Sequence, residues 1–345
     1  MINNFKRYIC AGLAFLFLLG IMPGAALAED EDDYIKWVDF TACYSAMELA
    51  LDMDIRYHGT DTPMSWVEIL AYLAAKYGGD FSKYKAADLY ALEETLAQGE
   101  DIDKLAEDMV HYDYYREAYD AILGGFVGDY RVQVADENDP EKLLWEERYG
   151  LKVFSPIAYG FVFEHFDDFG NSRDYGYDRR HLGHDMFGSV GTPIIAVESG
   201  TVQVLGWNQY GGWRIGIRSF DGKRYYYYAH LRKDRPYHAD LEEGATVKAG
   251  DVIGYMGRTG YSSNENVNNI KETHLHWGMQ LIFDPSQEEG PNEIWVDLYS
   301  ITRLLQKNRS LTYRVEETKE FYRSFDFTEP GLADYEAEEP SPAGQ

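Results

Sequence analysis

His274 and His276 alternate with Leu275 in THLHWG, and His181 and Asp185 lie four residues apart in RRHLGHDMFG. A spacing of two places both imidazoles of the first motif on one face of a β-strand, where they can converge on a small site. Gly176, Gly183, Gly188 and Gly191 surround the second motif, so His181 and Asp185 belong on a loop or strand end and not on a helix. Either motif alone says little, because surface strands often carry histidines and a His–Asp pair can be an ordinary ion pair or cap. Together they offer more than enough nitrogen and oxygen donors for one zinc ion. A hydrolytic zinc site keeps three protein ligands plus a water, whose pKa falls to about 7. Hydrolysis is therefore the chemistry these residues favour.

The sequence before these motifs has a different texture. Ser65 precedes Glu68 by three residues, forming a capping box with Pro63 just upstream. Trp66, Ile69, Leu70, Leu73 and Tyr77 then recur at helical spacing up to Gly78-Gly79. Similar patterns predict helices over Ala86–Ala97, Ile102–Tyr112 and Tyr114–Leu123, the last ending at Gly124-Gly125. The polar, acidic segment ADENDPEK (135–142) reads as a boundary. Beyond it, short β-like runs predominate. Ile194–Val197 and Thr201–Leu205 flank a Glu-Ser-Gly turn, and Arg214–Phe220 and Lys223–His230 flank Asp221-Gly222, a two-residue hairpin signal. Val252–Met256 and Leu275–Phe283 supply further strands, and a last helix is expected over Trp295–Gln306. The fold class is α+β: a helical domain (29–140), then a mainly antiparallel β-domain (141–310), then an acidic, partly disordered tail (311–345).

Residues 1–28 read as a signal peptide, with Lys6 and Arg7 before an apolar run and Ala26-Leu27-Ala28 as the cleavage site. An uncleaved membrane anchor is the alternative, and either reading puts the functional part outside the cytoplasmic membrane, secreted or associated with the envelope. The net charge of −27 argues against nucleic acid and anionic lipid as partners. Cys10 lies in the leader, so Cys43 alone remains and no internal disulfide can form.

Six collinear blocks, RRHLGHD, GTPIIAVESGTV, GGWRIGI, YYYAHL, VKAGDVIGYMGRTG and THLHWG, resemble the lysostaphin/LytM-type zinc metallopeptidases, from about Ser155 to Gln280. The resemblance implies an antiparallel sheet with loops walling a narrow groove, one Zn2+ per chain, and endopeptidase action on peptidoglycan peptides. Position by position it implies His181, Asp185 and His276 as zinc ligands, and His230 and His274 as catalytic histidines. Which histidine is the general base stays open. Family members that have lost ligands serve as regulators or scaffolds, and here no ligand is missing.

Two departures stand out. His184 replaces the family's usual aliphatic residue; in an extended segment it points away from Asp185 and reads as an outer-layer or surface group. Tyr261–Thr273, rich in asparagine, is longer than the usual link and can wall the groove or be a tolerated surface insertion. His58, His111, His165 and His238 lack partners at ligand spacing and read as structural or exposed. Tyr225–Tyr228 should send two rings into the core and two towards groove or solvent. Trp207, Tyr210 and Trp213 are candidates for the cleft wall or for core packing.

The expectation is an exported zinc endopeptidase of cell-wall peptides, with the helical domain controlling access or binding an envelope protein. A non-catalytic envelope scaffold and a zinc peptidase of extracellular proteins are the alternatives.

Overall fold

The computed structural model describes residues 35–174, 178–288 and 292–333, so the expected leader lies outside the described residues. Five helices come first: α1 (Tyr44–Tyr57), α2 (Trp66–Tyr77), α3 (Ala86–Ala97), α4 (Ile102–Leu105) and α5 (Tyr112–Leu123). Helix α2 starts where the capping signal put it, with the Ser65 hydroxyl accepting from the Glu68 amide. It stops at Gly78, whose φ of 64° is the left-handed turn that glycine adopts without strain. The helix expected over Ile102–Tyr112 is only the single turn α4. Ala106 and Tyr112 are buried but Val110 is not, so the apolar spacing there marks two short contacts and not one continuous face.

Strands β1 (Val127–Ala135) and β2 (Leu143–Leu151) form a regular hairpin. The segment 135–142, expected to separate two domains, is its turn. Asp136 and Asp139 accept from the amides of Asn138 and Glu141 there, so the same Asp/Pro chemistry that marks linkers closes a hairpin. The described residues from 35 to 333 group as one compact unit, and a single core cluster runs from Leu73 and Ile122 of the helices to Ile217 and Trp277 of the sheet.

The following strands are β3 (Glu164–His165), β4 (Ser172–Asp174), β5 (Asp178–Arg180), β6 (His184–Phe187), β7 (Pro193–Ile195), β8 (Gly200–Asn208), β9 (Gly212–Ser219), β10 (Arg224–Ala229), β11 (Thr246–Val247), β12 (Val252–Tyr255), β13 (His274–Leu281) and β14 (Ile294–Trp295). The main antiparallel sheet has the order β11-β8-β9-β10-β13-β6-β3, with β14 also pairing β13. Asp221 and Gly222 make the β9–β10 turn as the sequence predicts; Asp221 accepts from the Ser219 hydroxyl and the Lys223 amide. Leu275, Trp277, Met279 and Leu281 of β13 are fully buried on the core face, which turns His274 and His276 to the other face. Tyr226 and Tyr228 of β10 likewise enter the core.

Helix α6 (Tyr299–Leu305) buries Ile301, Leu304 and Leu305 in the same core. The last strands, β15 (Thr312–Arg314), β16 (Phe321–Arg323) and β17 (Phe327–Thr328), lie in the first part of the segment read as an acidic, partly disordered tail. Phe327 is fully buried against Phe154 and Tyr130, and β17 pairs with β1. Phe327, packed against two rings, outweighs the acidic composition of this stretch. Residues 334–345 lie outside the described residues.

One buried ion pair joins the helices to the sheet. The guanidinium of Arg224, only 1% exposed, donates to both carboxylate oxygens of Glu198 at 2.8 and 3.0 Å, to Asp221 at 2.7 Å, and to the Ala121 carbonyl of α5 at 2.8 Å. Tyr226 donates to the same Glu198 at 2.7 Å. A Cβ on Gly125 would stand 2.1 Å from Glu198 Oε1, so the chain can pass only as glycine there. Removing one partner of such a network strands a buried charge. Arg224→Ala should therefore cost about 3–5 kcal/mol, read as a lower urea midpoint with an unchanged slope; an unchanged midpoint would remove this pair as the tie between helices and sheet.

Candidate metal centre and catalytic cleft

The register of β6 against β13 builds the site. His276 stands directly opposite Asp185, and His274 opposite Phe187. The turn before β6 adds His181, which brings the H-x3-D and H-x-H motifs together. His276 Nδ1 lies 2.8 Å from Asp185 Oδ1, His181 Nε2 lies 3.0 Å from the same oxygen, and the two ring nitrogens are 3.2 Å apart. These three residues are the group, among the described residues, that offers one ligand atom each around a common point. Tetrahedral zinc with bonds of about 2.0–2.1 Å needs ligand atoms about 3.3 Å apart, so the donor set and spacing fit that ion. Burial alone would raise the Asp185 carboxyl, but hydrogen bonds from His181 and His276 hold it well below the usual carboxylate range.

Gly183 makes room for this arrangement. It has a φ of 148°, and a Cβ there would stand 2.5 Å from His276 Cε1 and 2.6 Å from its Nε2.

His230 and His274 complete the site without joining the three-donor group. Their rings meet edge to face at 4.8 Å between centroids, and His230 is 5.8 Å from the His276 ring. His274 Nδ1 lies 2.9 Å from the Glu272 carbonyl, and His230 Nδ1 lies 3.0 Å from the Thr259 carbonyl. A carbonyl can only accept, so both Nδ1 atoms carry the proton and both Nε2 atoms keep a lone pair. Burial lowers the pKa of each histidine below its ordinary value, His230 most strongly. His230 also has a φ of 63°, a left-handed conformation unusual for histidine, held by its amide donating to Gly211.

These residues open onto a cleft of about 510 Å³. Phe187, Tyr210, Tyr227 and Tyr261 give it aromatic walls. The long segment after Tyr261 does wall it, through Asn269, Ile270, Lys271 and Glu272. Of the tyrosine run, Tyr227 reaches the cleft, whereas Tyr225 is buried. Tyr210 also lines it, while Trp207 and Trp213 pack edge to face against each other, with the Trp213 indole donating to Asn266.

His184 points away from the donors, as its extended setting predicts, but it is buried. Its Nε2 lies 2.8 Å from Nδ1 of His165, and desolvation lowers its pKa to about 3. His165, read from the sequence as structural or exposed, thus backs the strand that carries Asp185. His58 stacks on Tyr149 and His238 meets Tyr322 edge-on. Sequence reasoning missed Asp168, whose carboxylate lies 3.2 Å from His181 Nδ1. No motif marks it.

Gly183→Ala should weaken zinc binding by at least tenfold, because the added methyl must displace the His276 ring. Chelator competition measures this, and an unchanged dissociation constant would contradict the role given to Gly183.

Residues 179–288 match peptidase family M23. The L-Ala–D-Glu endopeptidase of Bacillus subtilis (strain 168) is 36% identical over 184 residues, which is 53% of this chain and 51% of that protein. Lysostaphin of Staphylococcus simulans is 42% identical over 98 residues, 28% of this chain and 17% of that protein. The chain therefore spans about half the length of the first relative and under a fifth of the second. A crystal structure under the name glycyl-glycine endopeptidase lytM, from Ruminococcus gnavus, superposes with a TM-score of 0.50 at 24% identity, covering 76% of this chain and 87% of that one. That likeness extends the shared fold beyond the matched segment into the helical part. The C-terminal region of this chain, over residues 179–288, is a peptidase family M23 domain.

Proposed function

We propose that the protein is an exported zinc metalloendopeptidase that hydrolyses peptide bonds in peptidoglycan stem peptides or cross-bridges. The observation that carries this reading is the convergence of His181 Nε2, Asp185 Oδ1 and His276 Nδ1 beside two further histidines in one cleft. The relatives named as an L-Ala–D-Glu endopeptidase and as lysostaphin support a cell-wall peptide as the substrate. Among the described residues no helix is long and apolar enough to cross a membrane.

His181, Asp185 and His276 would hold the zinc. The ion supplies Lewis-acid chemistry, polarising a peptide carbonyl and making water more acidic. Two neutral imidazoles and one carboxylate leave the centre a net positive charge for that task. His230 and His274, neutral and with Nε2 unprotonated, are suited to take a proton from the attacking water and return one to the leaving amine. Their Nδ1–H bonds to Thr259 and Glu272 fix each ring for that exchange. The aromatic walls hold an extended peptide across the site and limit water. The helical part would control access to the cleft or meet an envelope protein.

Purified wall sacculi, digested with wild type and with His230→Ala, test this reading. Wild type should release muropeptides with new amine termini. His230→Ala should keep one zinc per chain and lose about 10²–10⁴-fold in rate. Casein digestion without muropeptide release would instead support a peptidase of extracellular proteins, and zinc binding without either activity would support a scaffold.

A further inference from the structure

Asp168 sits outside every motif, thirteen residues before His181 in sequence, yet the fold wraps its turn around that histidine. The Gly170 amide donates to the His181 carbonyl at 2.8 Å, and the His181 amide donates to the Asn171 carbonyl at 2.9 Å. These two backbone bonds bracket His181 in register with residues 168–171. The same turn brings two groups to one ring nitrogen: the Asp168 carbonyl, hydrogen-bonded to His181 Nδ1 at 3.4 Å, and the Asp168 carboxylate, whose Oδ1 stands 3.2 Å from that nitrogen in ion-pair contact. On the opposite side of the ring, Nε2 faces Asp185 and His276. Both Asp168 and His181 are largely shielded, at 19% and 6% side-chain exposure, so water competes weakly for the contact.

We propose that Asp168 is the positioning residue of the metal centre: its carbonyl accepts the Nδ1 proton of His181, and its carboxylate, in ion-pair contact with the same nitrogen, holds the ring angle that presents Nε2 to the metal. The inference rests on the zinc-site reading above and adds a residue to it. Acceptors on Nδ1 force the proton there, because neither a carboxylate nor a carbonyl can donate. A carboxylate behind a metal-bound imidazole also makes the facing nitrogen a stronger donor. His230 and His274 receive only a backbone carbonyl at the equivalent nitrogen. The carboxylate therefore goes to a ring in the three-donor group, while the two histidines outside it make do with neutral acceptors. Asp168 touches neither substrate nor reacting atoms in this scheme and acts through His181.

The test compares full-length wild type, Asp168→Ala and Asp168→Asn by two readouts that need no substrate. The first is the zinc dissociation constant from chelator competition. Asp168→Ala should raise it by about 10–100-fold, and Asp168→Asn, whose amide oxygen can still accept, should recover part of that loss. The second is the ¹⁵N shift pair of His181 in the zinc-free protein. Wild type and Asp168→Ala, which keeps the carbonyl, should both have protonated Nδ1 with bare Nε2, but the Nδ1 resonance of Asp168→Ala should move away from its wild-type position once the carboxylate beside that proton is gone. Should Asp168→Ala fail to fold, Asp168→Asn still decides through the same readouts, with a smaller rise in the constant required. Zinc constants equal to wild type in every folded variant would overturn the role of Asp168 and leave the zinc site standing. A wild type that takes up no zinc would overturn the site reading and this inference together.

Discussion

The pairing of β6 with β13 is the constraint on which the rest of the site depends. Antiparallel register sets His276 opposite Asp185, and a slip of one residue would turn the histidines into the core and Leu275 and Trp277 into the cleft. That register is held from the core side. Leu275, Trp277, Met279 and Leu281 are all buried, so the apolar face of β13 has one acceptable orientation. The geometry of the donor group is a by-product of hydrophobic packing on the opposite face of the same strand.

Support reaches the site from three directions. Backbone carbonyls of Thr259 and Glu272 fix the two histidines outside the donor group, and the turn at Asp168 brackets His181. Behind β6, His184 and His165 meet at 2.8 Å, and Gln306, just past α6, lies 3.1 Å from His165. Further out, Arg224 ties β10, which flanks β13, to the end of α5. Groups that could exchange metal or protons are held by neighbours on separate segments, which limits the reorganisation needed when substrate enters.

Much of this was legible in the sequence because the relevant periodicities are short. The spacing of His274 and His276 implied a shared face, Asp221-Gly222 implied its hairpin, and Ser65 with Glu68 implied the start of α2. What escaped depends on contacts between distant segments. Asp168 has no spacing rule that links it to His181, since the paired strands β4 and β5 stand between them in sequence. The tail beyond residue 311 looked solvated by composition, but Phe327 found a buried site beside Phe154. The polar segment at 135–142 carried signals common to linkers and hairpin turns, and only the pairing of β1 with β2 distinguishes them. For His184 the spacing leaves an outer-layer and a surface position open, because its partner His165 lies on another strand.

The central claim is a preformed three-donor centre that takes one zinc ion. X-ray absorption at the zinc edge, on protein with its metal content measured, addresses it most directly. The account predicts one zinc per chain with two imidazoles, one carboxylate oxygen and one further oxygen, at about 2.0–2.1 Å. A centre with three or four imidazoles would place His230 or His274 among the ligands and contradict the roles assigned here, and a protein that remains metal-free in excess zinc would contradict the centre itself.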